Sequence, residues 1–209
     1  MKKPIRLFAL LGGLLVLVGC TSTPNVYYTL SPTTSTRSEV LAPSKPTVGP
    51  YSLQAVSVPP QVDETPLIVR MADNRLMLLT NDRWSAPLGE LIHNALSQNL
   101  TRELGMPPMR NIGMTDGLNN VTKVMVDVQR FDMVPGQFAD LDAVWEVRSS
   151  NARVRPVICF TRLRQPVDVG VVPLVTAQQA NITGLSAEIA TVLRTGKPQV
   201  SASCQTPST

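Results

Sequence analysis

Histidine is nearly absent from this sequence, with one residue, His93, in 209. Hydrolases of the Ser-His-Asp or Cys-His kind need a histidine beside the nucleophile to take its proton. His93 falls on the predicted solvent side of a helix, and we interpret it as a surface residue. No G-x-S-x-G motif occurs, because Gly184-Leu185-Ser186-Ala187-Glu188 lacks the second glycine. The sequence therefore predicts no catalytic residues.

Clustered metal ligands and phosphate-binding loops are also lacking. Cys159 and Cys204 lie far apart and have no histidine near them, unlike the ligand spacings of zinc sites. No glycine-rich phosphate loop is present. Asp140 and Asp142 share one face of a predicted strand, which we interpret as a solvated face. We expect no metal site, no cofactor and no enzymatic activity.

Long apolar runs are lacking except near the N-terminus, where residues 7–18 form a run of 12. A bilayer-spanning helix takes about 20 apolar residues, so this run is too short to be one. Basic residues precede it, as in a secretory signal peptide. The sequence Leu17-Val18-Gly19-Cys20 resembles the lipobox of bacterial lipoproteins. That resemblance implies cleavage between Gly19 and Cys20, a diacylglyceryl group on the Cys20 thiol and an acyl group on its new amino end. An ordinary signal peptide with a chance cysteine is the alternative.

A strong charge of one sign is absent once residues 1–19 are removed. The full chain has a net charge of +4, but Lys2, Lys3 and Arg6 leave with the signal, so 16 basic and 15 acidic residues remain. A charge of +1 gives little support for nucleic-acid binding. The remaining 190 residues suit one domain plus a linker.

Cysteine is scarce, and the three residues divide into one lipid attachment site and one pair. With Cys20 lipidated, Cys159 and Cys204 remain, and an even pair in an oxidising compartment favours a disulfide. Closing a loop of that length would stabilise the fold by about 3–4 kcal/mol. The alternative is a buried strand thiol at Cys159 and a free tail thiol at Cys204.

The linker and the folded domain differ in composition. Residues 20–50 are rich in Ser, Thr and Pro, which is typical of a tether. Within it, residues 26–30 (VYYTL) are β-prone and could dock as an edge strand. We expect a lipidated tether over 20–50, one domain over 51–197 and a flexible tail over 198–209.

Hydrophobic periodicity predicts two helices and several strands in the domain. One helix is expected from Leu88 to Gly105 with Ser85 as its cap. The second is expected to start near Thr176, which has the capping-box spacing to Gln179, and to end at Gly196. Alternating patterns predict strands over residues 51–58, 66–71, 76–80, 121–134, 139–147 and 154–163. The predicted fold class is α/β (α+β), a single domain with a mixed, mostly antiparallel sheet and two main amphipathic helices packed on it.

Five arginines follow the predicted hairpin of the last two strands: Arg148, Arg153, Arg155, Arg162 and Arg164. They could form a surface for a partner protein or for anionic lipid. They could equally protect the sheet edge and keep the protein soluble. We favour the second interpretation on sequence alone.

Several stretches together resemble the family of ABC-type transport auxiliary lipoprotein components, of which PqiC (YmbA) is typical. The resemblance is carried by Tyr27-Tyr28-Thr29-Leu30, Trp84-Ser85-Ala86-Pro87-Leu88, the strand pair from Val126 to Trp145, and Val175-x-Ala177-Gln178. It implies a non-enzymatic subunit of an intermembrane phospholipid transport system that supports envelope integrity. The implied partners are an MCE-domain (PqiB-like) periplasm-spanning protein and its inner-membrane partner.

The resemblance also implies a location on the periplasmic face of the outer membrane. Thr21 fits this location, because an aspartate after the lipidated cysteine is the usual inner-membrane retention signal. A homo-oligomer is plausible beside a ring-shaped partner. The alternative functions are a structural lipoprotein that binds cell wall and an envelope hydrolase.

Overall fold

The computed structural model describes residues 23–31, 48–109, 121–151, 153–197 and 203–205. The predicted lipobox with Cys20, much of the tether and part of the tail lie outside the described residues. The elements, in chain order, are β1 (Val26–Tyr28), β2 (Tyr51–Leu53), β3 (Pro66–Arg70), β4 (Leu76–Trp84), α1 (Leu88–Leu104), β5 (Thr122–Val134), β6 (Phe138–Arg148), β7 (Val157–Pro166), α2 (Val171–Thr195) and β8 (Ser203–Gln205).

The strands of the described residues form two sheets. The small sheet has the order β1-β4-β3, with β1 parallel to β4 and β3 antiparallel to it. The large sheet has the order β2-β5-β6-β7-β8, in which only the β2–β5 pair is parallel. The β3–β4 turn contains Asn74 at φ 66°, a left-handed conformation that asparagine tolerates. The predicted fold class is confirmed, with the strands divided between two sheets.

Both helices cover one face of the large sheet. Helix α1 packs against α2, and α2 packs on β6 and β7. Alternate residues of β6, from Ala139 to Val147, point towards the helices and are buried. Trp145 lies at the centre of this core, where its Nε1–H donates to Thr161 Oγ1 at 2.9 Å. Edge-to-face packing of Trp84 on Phe131, with centroids 6.2 Å apart, joins the small sheet to the large one.

The C-terminal ends of both helices agree with the sequence prediction, and the predicted N-terminal caps do not. Gly105 and Gly196 end α1 and α2 in the left-handed conformation that glycine adopts without strain. The predicted Ser85 cap is wrong, because α1 has no side-chain cap and the Ser85 N–H donates to Tyr28 O at 2.9 Å. Helix α2 begins at Val171, five residues before Thr176.

The expected Thr176–Gln179 capping box is therefore also wrong. Gln179 instead lies within the helix, and its Nε2 donates to Thr29 O and Ser31 O, both at 3.1 Å. Pro173 is compatible with the first turn of α2, since an amide hydrogen is not needed there. The helix thus holds the segment after β1, and Leu30 is buried in the core.

Gly89 sits where α1 approaches the chain between β2 and β3. A Cβ atom built at Gly89 would lie 2.7 Å from the Val56 carbonyl oxygen, whereas one at Gly184 of α2 would meet only the flexible Leu163 side chain, at 3.3 Å. We predict that Gly89→Ala lowers the free energy of unfolding by about 1–3 kcal/mol through overpacking. Gly184→Ala, the matched control, should change it by less than about 1 kcal/mol, since alanine favours the helix. Chemical denaturation of both variants measures the difference, and equal stabilities would contradict the close approach.

Candidate functional site

Charged residues concentrate on the face of the large sheet that points away from the helices. In the strand register Asp140 of β6 lies between Asp132 and Arg164, and Asp142 lies between Arg130 and Arg162. Arg70 reaches the same face from β3 of the small sheet. We call these residues the Arg–Asp network: Arg70, Arg130, Asp132, Asp140, Asp142, Arg162 and Arg164.

A β-bulge places Arg130 on this face. The register of β5 shifts between Val128 and Arg130, so that the residues of β5 pointing to the core change from even to odd numbers. Val128 and Phe131 are both buried on the helix side of the sheet. They are three positions apart, whereas residues on one face of a regular strand are an even number of positions apart. Bulges of this kind redirect side chains, and here the shift brings Arg130 beside two carboxylates.

The ion pairs of the Arg–Asp network are short. Asp132 accepts from Arg70 Nη2 at 2.8 Å and from Arg130 Nε at 2.6 Å. Asp140 is held by both Nε and Nη2 of Arg164 at 2.6 Å, and Arg130 Nη2 is 3.3 Å from it. Two parallel bonds from one guanidinium are the strongest geometry available to such a pair.

Asp142 is less well satisfied than its neighbours. Its Oδ2 is 3.3 Å from Arg162 Nε, and its buried Oδ1 has no hydrogen-bond partner among the described residues. Asp140 and Asp142 are buried, so the expectation of a solvated pair is wrong. These two carboxylates are covered because arginines from β5 and β7 fold over them.

Aromatic rings support the outer arginines. The Arg164 guanidinium lies 3.9 Å from the Phe138 ring centroid, and that of Arg162 lies 5.4 Å from the Phe160 centroid. A groove of about 660 Å³ runs beside these rings. Its lining includes Arg70, Arg130, Asp132 and Asp142 of the network together with Pro59, Gln61 and Val62. The side chains of Arg162 and Arg164 remain more than half exposed. They can therefore donate hydrogen bonds to an acidic group arriving from solvent, whereas the buried carboxylates are out of its reach.

Charge compensation within the network sets the ionisation of Asp132 and the arginines. Burial opposes the ionised form of Asp132, but hydrogen bonds from Arg70 and Arg130 outweigh it, and the pKa of Asp132 is lowered from 3.8. The hydrogen bond to Asp132 raises the pKa of Arg130, and that to Asp140 raises the pKa of Arg164. Asp132, Arg130 and Arg164 therefore favour their charged forms.

Asp132 should make stability depend on pH in the acid range. A carboxyl whose pKa is lower in the folded state stabilises the fold above its unfolded pKa, near 3.8, and this contribution disappears as the pH falls through the folded pKa. We predict that Asp132→Asn is less stable than the parent at pH 6 and that the difference narrows below about pH 4. Urea midpoints from pH 6 to 2.5 measure it. Asp63→Asn, at an exposed position, is the control, and a constant gap would contradict the prediction.

Helix α2 anchors the inner side of this strand pair. Gln178 is fully buried, and its Nε2 donates to the carbonyl oxygens of Asp132 and Asp140, both at 3.0 Å. Asn181 Nδ2 donates to Ala139 O at 3.1 Å. These amides fix β5 and β6 where the network lies on their other face, so the sheet is held from both sides.

The other predicted arginines lie elsewhere. Arg148 pairs with Glu146 at the end of β6, and that hydrogen bond raises the pKa of Arg148. Arg153 and Arg155 are exposed in the connection to β7. Only Arg162 and Arg164 of the predicted set join the network. Arg70, Arg130 and Asp132 were not predicted, and the change from even to odd apolar positions in β5 is the one signal that could have indicated Arg130.

The remaining candidate residues lie away from the network. His93 is half-buried on α1, and its Nε2 lies 3.4 Å from Leu53 O. Cys159 faces Cys204 across the β7–β8 register, and their sulfur atoms are bonded at 1.96 Å. Within the described ranges, no group of three or more His, Cys, Asp or Glu residues could hold a metal ion. No helix in the described part of the chain has the length and apolar character needed to cross a membrane.

Comparison with known proteins assigns the chain to a family. The family model for ABC-type transport auxiliary lipoprotein components matches residues 28–190. The chain belongs to this family. The resemblance seen in the sequence is thereby confirmed, and the match runs from the last residue of β1 through most of α2.

Two crystal structures share the fold of this family member. One, of an uncharacterized protein, has a TM-score of 0.63 at 17% identity and covers 81% of this chain and 98% of that one. The other, of a Xanthomonas campestris protein assigned to the DUF330 family model, has a TM-score of 0.56 at 16% identity and covers 83% and 94%. No curated protein matches the chain. At these identities the likeness concerns the fold alone.

Proposed function

We propose that this protein is an outer-membrane-anchored periplasmic lipoprotein and a non-enzymatic auxiliary subunit of an MCE-type intermembrane phospholipid transport system. The observation that carries the proposal is the family match over residues 28–190. The Leu17-Val18-Gly19-Cys20 sequence supports lipidation at Cys20, ahead of that match. Residues 1–19 would be the signal peptide, and the lipidated tether, the domain and the tail would follow near the expected boundaries. The pairing of β1 with β4 and of β8 with β7 extends the folded unit beyond 51–197 on both sides.

A binding role agrees with the chemistry of the Arg–Asp network. Its carboxylates are buried under arginines, so they are poorly placed to exchange protons with a substrate. Its outer guanidinium groups are exposed and oriented by Phe138 and Phe160. Planar donors of this kind suit carboxylates on a partner protein. We propose that Arg162 and Arg164 contact an acidic surface of the MCE-domain partner.

Co-purification after mild detergent extraction tests this function. We expect the affinity-tagged protein to recover the MCE-domain protein and its inner-membrane partner from the native host. The double variant Arg162→Gln with Arg164→Gln should recover less of the MCE-domain protein than the parent does. Arg153→Gln with Arg155→Gln is the matched control, since these arginines are exposed but lie outside the network. Recovery of no MCE-domain protein by the parent would overturn the proposal, and equal recovery by both variants would remove the arginine contact from it.

A further inference from the structure

Four apolar side chains are exposed together at the closed end of the β3–β4 hairpin. Leu76, Met77 and Leu78 are 41%, 42% and 52% exposed, and Met71 on the opposite side of the turn is 36% exposed. We call these four residues the hairpin-end patch. Single apolar residues at a surface are ordinary, but a contiguous group indicates a binding surface.

At this end of the hairpin, β4 is exposed, whereas Ile68 and Val69 of β3, which lie opposite Leu78 and Met77, are buried. Successive residues of a strand point to opposite faces of a sheet, so the exposure of three consecutive residues means that the start of β4 is an exposed edge on both faces. The other half of β4 differs, because Trp84 is buried and packs on Phe131. The patch is therefore the exposed edge at the start of β4, and the rest of the hairpin is fixed in the core.

The direction of β1 places the N-terminal part of the chain at the same end. Strand β1 runs parallel to β4 with Val26 opposite Asp82, so the residues before Val26 leave towards the start of β4 at Leu76. From Asp82 back to Leu76 is about 20 Å along the strand. Six residues from Cys20 to Val26 reach at most about 20 Å. The six residues before Val26 are therefore long enough to span the distance to the hairpin end.

The charges at the hairpin end are compatible with a phospholipid surface. Asp73 in the turn is paired with Arg75 at 2.7 Å, and Arg70 is paired with Asp132. Between residues 66 and 80 the chain carries two arginines and one aspartate. Apolar side chains flanked by arginine are typical of segments that lie in the membrane interface.

We propose that the hairpin-end patch inserts into the interfacial region of the bilayer that holds the Cys20 lipid. The inference rests on the proposed lipidation of Cys20, and it adds a second point of membrane contact on the folded domain. With two contacts the domain is oriented on the bilayer, so that the small sheet faces the lipid and the Arg–Asp network has a fixed height above it.

Site-specific fluorescence on the full-length lipoprotein tests the insertion. Leu78→Cys is labelled with a polarity-sensitive dye, and Val169→Cys is the control, since Val169 is 85% exposed outside the hairpin. The labelled proteins are reconstituted in phosphatidylethanolamine–phosphatidylglycerol vesicles, with or without acyl-chain bromination. We expect a blue-shifted emission that brominated lipid quenches for Leu78→Cys, and an unshifted, unquenched emission for Val169→Cys.

The possible results separate the insertion from the anchor. If the protein does not float with the vesicles, lipidation and the proposed function fail with it. If it floats but the Leu78→Cys dye stays in water, the insertion is wrong while the anchor stands. Equal quenching at both positions would indicate non-specific adsorption and overturn the proposal. A blue shift without quenching by brominated lipid would also overturn the proposal, because the patch would then bind protein instead of lipid. The same holds for a blue shift that is seen only at high protein density or only with the MCE-domain partner present.

Discussion

Asp140→Asn is expected to lower the free energy of unfolding by about 3 kcal/mol. Asp140 is buried, and it binds Arg164 through two bonds and lies beside Arg130. Asparagine keeps the shape of the side chain but leaves Arg164 without its paired carboxylate, while Arg130 keeps its bond to Asp132. Because Arg164 can turn into solvent, the loss falls at the lower end of the range for a broken buried pair.

The control for this variant is Asp73→Asn. Asp73 is also paired with an arginine, Arg75, at 2.7 Å, but both side chains are exposed. Exposed pairs contribute at most about 1 kcal/mol, so little change is expected. Denaturant midpoints of the two variants give the comparison. If Asp140→Asn is as stable as Asp73→Asn, the network does not act as a stabilising unit and its geometry here is wrong.

Removing the Cys159–Cys204 link is expected to destabilise the protein by about 3–4 kcal/mol. The link closes a loop with a sequence separation of 45, and constraining a loop of that length limits the conformations of the unfolded chain. It also holds β8, a strand of three residues, against β7 at the edge of the large sheet. The double variant Cys159→Ala with Cys204→Ala should therefore unfold at lower denaturant.

Reduction provides an independent control for this experiment. The parent protein in excess dithiothreitol should lose about the same stability as the double variant, and the double variant should not respond to the reductant. Equal stability of the oxidised and the reduced parent would contradict the contribution assigned to the link. A free-thiol assay on the unfolded parent would then show whether the two sulfur atoms are bonded in the purified protein.

Helix α1, the end of α2 and the approximate positions of β5, β6 and β7 followed from the sequence because their signals are local. The stripe from Leu88 to Leu104 and the glycine after it are sufficient to define α1. Alternation in β6 correctly indicated the buried face that contains Trp145. Family membership was likewise predicted from short motifs whose order along the chain is preserved.

The Arg–Asp network did not follow from the sequence because it depends on distant residues. Asp140 and Asp142 were expected to be solvated, since a strand pattern cannot show that arginines from two neighbouring strands cover them. The partner Arg70 comes from another sheet, 62 positions before Asp132. The start of α2 was placed too late for a similar reason. Gln179 was assigned to a capping box with Thr176, whereas its side chain binds the segment after β1, which is distant in sequence.

The two surfaces proposed for binding lie on connected elements. Arg70 is the last residue of β3, next to Met71 of the hairpin-end patch, and it is also part of the Arg–Asp network. A hairpin fixed in the membrane would therefore place the network at a defined height for a partner in the periplasm. In this arrangement the function depends on the lipid anchor at Cys20 and on no reactive group.

The mass of the mature protein isolated from membranes tests the central claim most directly. We predict a chain that begins at Cys20, carries a diacylglyceryl group on the thiol and an acyl group on the amino end, and lacks residues 1–19. Cys20→Ala should remove these additions and release the protein from the outer-membrane fraction. A mature chain that begins at another residue, or that remains in that fraction without lipid, would contradict the account.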